Sequence, residues 1–322
     1  MDILVTGGAG YIGSHCCKEL RRRGYKPVTL DNLVYGHRES VRWGPFFEGS
    51  IDERKILDNI LKQHKIQAVL HFAAFAYVGE SVTDPKKYYQ NNLKGTIGLL
   101  DALIAHGVKH FIFSSSCATY GIPGKVPIDE THPQHPINPY GKTKWMVEEI
   151  LKDYSIAYPI DFMSLRYFNA AGADSEAEIG EDHDPETHLI PLVLDVAKGR
   201  SDKVNVFGTD YDTEDGSCIR DYIHVTDLAD AHVLALEKLL EGHQSEFINL
   251  GTGKGYSVLK VIEIASKVTG VDISYDVTER RPGDPAILVA ANDKARRVLG
   301  WSPRFPDLDT IVTSAWKWHK NL

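Results

Sequence analysis

Short apolar runs alternate with longer amphipathic stretches along the first half of the chain, and that alternation predicts the architecture before any motif is read. Residues 2–6 read as a buried strand, the run up to Gly24 as a helix and residues 27–31 as a second strand. Further strands are predicted over 46–48, 68–72, 111–114 and 162–167, and further helices over 52–65, 84–106 and 140–155. Strands separated by helices imply an α/β fold with a doubly wound parallel sheet, in which ligands bind beyond the carboxyl ends of the strands. Gly7, Asp31, Phe72, Ser114 and Asn169 all fall at such ends. After Asn169 the texture changes to longer loops, 172–184 and 208–221, between shorter elements. Residues 1–168 are therefore expected to form a dinucleotide-binding (Rossmann) domain and 169–322 mainly a smaller C-terminal substrate lobe, with a segment near 221–230 returning to the first domain. A last helix over 311–320, carrying Trp316 and Trp318, reads as packing.

The first turn sharpens this picture. Gly7, Gly10 and Gly13 are spaced Gly-x-x-Gly-x-x-Gly around Tyr11 and Ile12. In a strand-turn-helix unit, such glycines serve a tight turn, close approach of a pyrophosphate to the backbone, and packing of helix on strand. Asp31 ends the second strand, where a carboxylate accepts bonds from ribose hydroxyls and repels a 2′-phosphate, so the expected cofactor is NAD rather than NADP. Arg38 reads as a surface arginine, not a 2′-phosphate ligand.

Tyr140 and Lys144 lie four residues apart, on one face of the helix predicted there, and follow the triplet Ser114-Ser115-Ser116. A free tyrosine has a pKa of about 10, and bringing it near 7 takes roughly 4 kcal/mol of phenolate stabilisation at about 1.36 kcal/mol per unit. A neighbouring ammonium together with an oxidised nicotinamide supplies charge of the right sign. The phenolate then removes a hydroxyl proton while the same carbon gives up hydride.

Composition narrows the class. The 322 residues are 43% hydrophobic and 25% charged, as in an ordinary globular protein. A net charge of −8 argues against broad nucleic-acid binding, and the basic run Arg21-Arg22-Arg23 sits at a helix end, where cations suit the dipole. No apolar run approaches the ~20 residues of a membrane span, and the chain enters a core strand at once without a targeting segment, so a cytoplasmic protein is expected. The four cysteines, Cys16, Cys17, Cys117 and Cys218, form no Cys-x-x-Cys and are expected to be reduced. The histidines of 183–188 lack helical spacing and enclose a proline, so that stretch reads as a loop without a metal.

Eight blocks in order then carry a resemblance over the whole chain: Thr6 to His15, His71-Phe72-Ala73-Ala74, Val78-Gly79-Glu80-Ser81-Val82, Ser114-Ser115-Ser116, Pro139-Tyr140-Gly141-Lys142, Arg166-Tyr167-Phe168-Asn169, Thr213-Glu214-Asp215-Gly216 and Arg220-Asp221-Tyr222-Ile223-His224. The chain resembles the UDP-glucose 4-epimerase family of extended short-chain dehydrogenases/reductases. That resemblance implies NAD held through the turnover, a 4-keto sugar that swings about its diphosphate, and hydride returned to the opposite face. It assigns Ser116, Tyr140 and Lys144 to catalysis. Asn91, Ser50, Ala74 and Ser114 would lie on the cofactor side; Asn32, Ile51, Phe72 and Ala73 would line the adenosine, and Phe168 would contact nicotinamide. Asn169, His188, Leu189, Val206, Phe207, Arg220, Arg281 and Asp284 would hold the UDP-sugar, and Leu288 would wall the sugar pocket. The resemblance also implies a homodimer.

Three positions depart from the family pattern. Ser50 stands where an aspartate often bonds adenine, Ala76 replaces a lysine of some members, and His188 replaces an asparagine. Dehydratases and decarboxylases of this fold need acids beside the catalytic serine, and Ser116-Cys117-Ala118 has none. A cofactor-sensing regulator has no use for Ser116, Tyr140 and Lys144 together. Other UDP-sugars, N-acetylated or pentose, stay open as substrates.

Overall fold

The computed structural model describes residues 1–281 and 283–322. The chain first builds β1 (Asp2–Thr6), α1 (Tyr11–Arg22), β2 (Lys26–Asp31), β3 (Phe46–Glu48), α2 (Arg54–Gln63), β4 (Ile66–His71), α3 (Val78–Thr83), α4 (Pro85–Tyr88), α5 (Thr96–Ala105), β5 (His110–Ser116), α6 (Pro139–Ala157) and β6 (Asp161–Tyr167). It continues through β7 (Asn169–Ala171), α7 (Leu189–Ala197), β8 (Val204–Phe207), β9 (Ile219–His224), α8 (Val225–Leu240), β10 (Glu246–Leu250), β11 (Gly255–Ser257), α9 (Val258–Thr269), β12 (Tyr275–Thr278), β13 (Ile287–Leu288), α10 (Asp293–Leu299) and α11 (Leu308–His319).

Seven parallel strands form the main sheet in the order β10-β6-β5-β4-β1-β2-β3. Apolar cores cover both faces: Cys16 and Leu20 of α1 meet Leu228 and Leu236 of α8 on one, while Leu57, Leu99 and Val147 of α2, α5 and α6 fill the other. Both faces are buried, which explains why β1 and β5 read as near-continuous apolar runs. The chain reverses direction across the sheet between β1 and β4, and this switch opens a crevice beyond their carboxyl ends.

Late segments complete this sheet. β10 pairs with β6, and α8 lies against α1, where Arg23 binds Glu19, Asp230 and Glu237. The basic run at the end of α1 thus fastens two helices rather than only meeting a dipole. A second, smaller sheet gathers β7, β11 and β13 around β9, and β8 pairs with β12. Val193, Val206, Ile264 and Val312 share the core beneath these strands.

The helix expected over 84–106 is instead three pieces, with Tyr89–Gly95 wound as a π-helix between α4 and α5. Such turns interrupt α-helices frequently at functional sites. Here the wider winding lets buried Asn92 bond both the N–H and the carbonyl of Phe75 at 2.9 Å, while neighbouring Asn91 borders the cleft.

Candidate active site

A cleft of about 1390 Å³ runs along the carboxyl ends of the main-sheet strands and under the smaller lobe. Its floor is the glycine turn. Gly7 has φ +74°, and a Cβ there would stand 2.6 Å from the Ala73 nitrogen; a Cβ on Gly13 would stand 2.1 Å from the Gly7 carbonyl oxygen. At Gly10 the nearest atom is 3.4 Å away, and no side chain caps the α1 N–H groups it precedes. The bare helix N-terminus, opened by glycines where backbone must approach, fits a pyrophosphate. Asp31 is buried at the end of β2 and accepts the N–H groups of Ala9 at 3.0 Å and Leu33 at 2.9 Å. Burial raises its pKa, and those backbone bonds oppose the rise. Tyr11, Ile12, Asn32, Ser50, Ile51, Phe72, Ala73, Ala74, Asn91, Ser114 and Phe168 line the same cleft, so every residue expected on the cofactor side borders it and the set fits a dinucleotide.

The chemistry-bearing residues meet where β5 ends beside α6. Asn138 caps that helix by accepting the Gly141 N–H, Pro139 occupies the first turn, and Tyr140 and Lys144 follow one turn apart. Ser116 accepts the Ala118 N–H at 3.1 Å at the end of β5. Burial pushes the Tyr140 phenol up to about 12, against the pull of the Ser116 hydroxyl beside it. Lys144 is buried, donates to the Ser114 carbonyl at 2.7 Å and stands 5.9 Å from the centre of the Tyr140 ring. Desolvation holds its ammonium down to about 7, against the attraction of Glu148. In the protein alone, then, burial outweighs the Ser116 hydroxyl's help to the phenol.

This lysine costs stability. The unfolded chain keeps its proton to about pH 10.5 and the folded one releases it near 7, so the penalty is full below 7 and fades as pH rises to 10.5. Lys144→Met is expected to stabilise cofactor-free protein at neutral pH by on the order of 2 kcal/mol, once the lost Ser114 hydrogen bond is set against the relief. Urea midpoints at neutral pH and near pH 10.5 check it; an equal or lower midpoint for the variant at neutral pH counts against such a penalty.

Behind Lys144, Glu148 escaped the reading of the sequence. It is fully buried, receives Arg166 through two nitrogens at 2.9 and 2.7 Å, and accepts Ser115, Ser164 and Gln134 as well. The available signal was its place four residues after Lys144, an acid on the inward face of the same helix.

The opposite wall belongs to the smaller lobe. Arg220 is buried, pairs with Asp284 and keeps its charge, since that partner outweighs the effect of burial. The Arg281 guanidinium lies 3.8 Å over the Phe207 ring. Asn169, His188, Leu189 and Leu288 also line the cleft, and Leu288 packs against the cluster of Tyr120, Ile128 and Phe168. Val206 does not. Alternation along β8 turns its side chain into the core and leaves Asn205 and Phe207 on the cleft side.

The loop before α7 brings more together than its sequence suggested. It brings His183 and His188 against Glu181 and Glu186. Burial opposes charge on both rings, yet the carboxylates lift His183 to about 9 and His188 to about 10.

A glycine-turned nucleotide cradle facing a serine, a tyrosine and a lysine across one cleft defines a short-chain dehydrogenase/reductase type of site. The chain belongs to the NAD dependent epimerase/dehydratase family, whose sequence pattern matches residues 3–251. It is 56% identical over 318 residues to the UDP-glucose 4-epimerase of Rhizobium meliloti (strain 1021), covering 99% of this chain and 97% of that one. The crystal structure of UDP-glucose 4-epimerase from Brucella ovis in complex with NAD superposes with a TM-score of 0.97 at 51% identity, over 99% of this chain and 98% of that one. The UDP-Glc/GlcNAc 4-epimerase of Campylobacter jejuni superposes with a TM-score of 0.87 at 42% identity, over 100% and 99% of the two chains.

Proposed function

We propose that this protein interconverts UDP-glucose and UDP-galactose by inverting C4 of the sugar, with NAD as a resident cofactor. The observation that carries the reading is the meeting of Ser116, Tyr140 and Lys144 at one point of a cleft with a bare helix N-terminus on one side and Arg220 and Arg281 on the other. When bound, oxidised NAD supplies a hydride acceptor for C4 and positive charge near the Tyr140 phenol. Tyr140 takes the 4-hydroxyl proton, with Ser116 bonding the same oxygen. Lys144 orients the cofactor's ribose and steadies the phenolate. Arg220 and Arg281 offer planar forks of donors to the diphosphate, so the 4-keto sugar is held by its nucleotide while it turns. Tyr140 returns the proton after the sugar presents its other face.

Residues 1–168 make the cofactor part in this reading and 169–322 mainly the nucleotide-sugar part, in a homodimer, as the sequence resemblance implies, located in the cytoplasm. The absence of acids beside Ser116 speaks against dehydration at the 4-keto stage. Slower turnover of UDP-N-acetylglucosamine is a second reading, favoured by half-buried Leu288 on the cleft wall, where a tyrosine would take more room.

The test is a panel of UDP-sugars incubated in heavy water without added NAD. UDP-glucose and UDP-galactose should interconvert with no deuterium at C4, because the hydrogen never leaves the active site. Deuterium at C4, or no interconversion by NAD-loaded protein, defeats the proposal. Leu288→Tyr should lower kcat/KM for the N-acetylated sugar relative to UDP-glucose about 10-fold, within the 1–3 kcal/mol of small pocket misfits.

A further inference from the structure

Four side chains of one loop, Glu181, His183, Glu186 and His188, each turn a donor atom toward a common point, all within 4.8 Å of one another. His188 Nδ1 stands 2.9 Å from a carboxylate oxygen of Glu181 and 2.9 Å from one of Glu186; His183 Nδ1 stands 3.4 and 3.6 Å from the same two residues. We propose that this cluster is a binding site for one divalent transition-metal ion, zinc by its donor set, which locks the loop between β7 and α7 at the rim of the cleft.

Geometry supports the ion first. Nitrogen and oxygen ligands 2.0–2.2 Å from a tetrahedral zinc stand about 3.3–3.6 Å from one another. The two His183 spacings lie in that range, and the His188 spacings, which reach the same Glu181 oxygen but the other Glu186 oxygen, come into it with a shift of about half an ångström. Two imidazoles and two carboxylates suit zinc, whereas magnesium and calcium favour shells of oxygen.

An orphaned atom supports it second. The buried Nδ1 of His183 stands 3.4 Å from Glu181 and 3.6 Å from Glu186 without reaching hydrogen-bond geometry to either. Buried polar nitrogens without partners are rare in folded proteins, and coordination to an ion would satisfy this one. The nearby acidic cluster shows the contrast. Asp174, Glu176 and Glu178 already surround a cation, the Lys18 ammonium, at 2.9, 2.9 and 2.6 Å. Among the described residues, neither Glu181 nor Glu186 pairs with a lysine or arginine.

The surroundings hold the donors in place, as the outer shells of metal sites do. Glu186 accepts the N–H groups of Thr187 at 2.6 Å and His188 at 2.7 Å. Trp318 of α11 donates to the Glu181 carbonyl at 2.9 Å. Tyr11 and Tyr77 meet the His183 ring edge-on, with centroids 6.3 and 6.2 Å away. The His188 side chain is 40% exposed, which leaves an ion a way in from solvent. Four protein donors fill a tetrahedral shell, so the ion's work is structural rather than catalytic. It ties His188, the residue before α7, to one rigid loop whose His183 ring packs against Tyr11 at the start of α1.

The full-length protein, freed of any affinity tag rich in histidine and stripped with a chelator, is titrated calorimetrically with zinc chloride and with magnesium chloride at mildly alkaline pH, where metal displaces ring protons most readily. One zinc per chain should bind and magnesium should not. Zinc at 100-fold its dissociation constant should raise the melting temperature by on the order of 5 °C. His183→Ala and Glu186→Gln should each weaken zinc binding at least about 10-fold. Absence of stoichiometric zinc binding to wild type overturns the proposal, and so does equal affinity in both variants. If neither variant folds, crystals of wild type soaked in zinc chloride decide it: an anomalous peak bonded to the four donors supports the site, and a peak elsewhere or none removes it.

Discussion

Replacing Tyr140 by phenylalanine is expected to lower turnover at least ~100-fold while UDP and NAD affinities stay near wild type. In this reading the phenol carries the proton to and from the sugar, while Lys144 donates to the Ser114 carbonyl and the Ser116 hydroxyl, which accepts the Ala118 N–H, keeps its own proton to donate to the sugar oxygen. The ring packs in a buried position, and phenylalanine keeps its volume, so the cleft should keep its shape. Burial leaves the phenol near 12, so proton removal depends on positive charge brought beside it. A cofactor-loaded Tyr140→Phe protein retaining a tenth of wild-type kcat would remove Tyr140 from its role.

The second large effect is expected at Gly13. A methyl group there would sit 2.1 Å from the Gly7 carbonyl oxygen, a backbone atom that cannot turn aside. Forced overpacking typically costs 1–3 kcal/mol, and here the strain falls on the turn that faces the pyrophosphate. Gly13→Ala should lower the urea midpoint and yield protein that loses NAD on gel filtration. Gly98 of α5 is the control, because a methyl there meets nothing within 4 Å. Gly98→Ala should gain about 0.5–1 kcal/mol from the better helix former and keep its NAD. Wild-type midpoint and cofactor content in Gly13→Ala would mean that the close approach is not tight in solution.

Much of this was legible because local chemistry forced it. The glycine turn, the acid closing β2 and the tyrosine-lysine pair on α6 are each a few residues long and lie within single units, so spacing alone places them. The strands of the main sheet declared themselves by apolar runs buried on both sides. What stayed hidden depends on distant partners. β7 and β11 are three residues each and β13 two, too short for any period to show, and they exist because β9 lies between them. Val206 sits in a stretch assigned to the sugar wall, and only the pairing of β8 with β12 decides which way it faces. The π-wound turn around Asn91 depends on what Asn92 must bond across the chain. The histidines of 183–188 looked unfit for joint work by helical spacing, but a loop folded back on itself obeys no helical spacing.

The seventh strand gives the molecule a timetable. Everything up to Tyr167 can leave the ribosome and still lack β10, the strand that covers the edge of β6, and α8, whose Leu228 and Leu236 close the face under α1. Those pieces arrive roughly 80 residues later, a delay on the order of 4–16 s at 5–20 residues per second. For that interval the nascent chain carries an unpaired strand edge and an uncovered apolar face, surfaces prone to aggregation, and its nucleotide cradle lacks one of its two supporting layers until the far lobe is largely made.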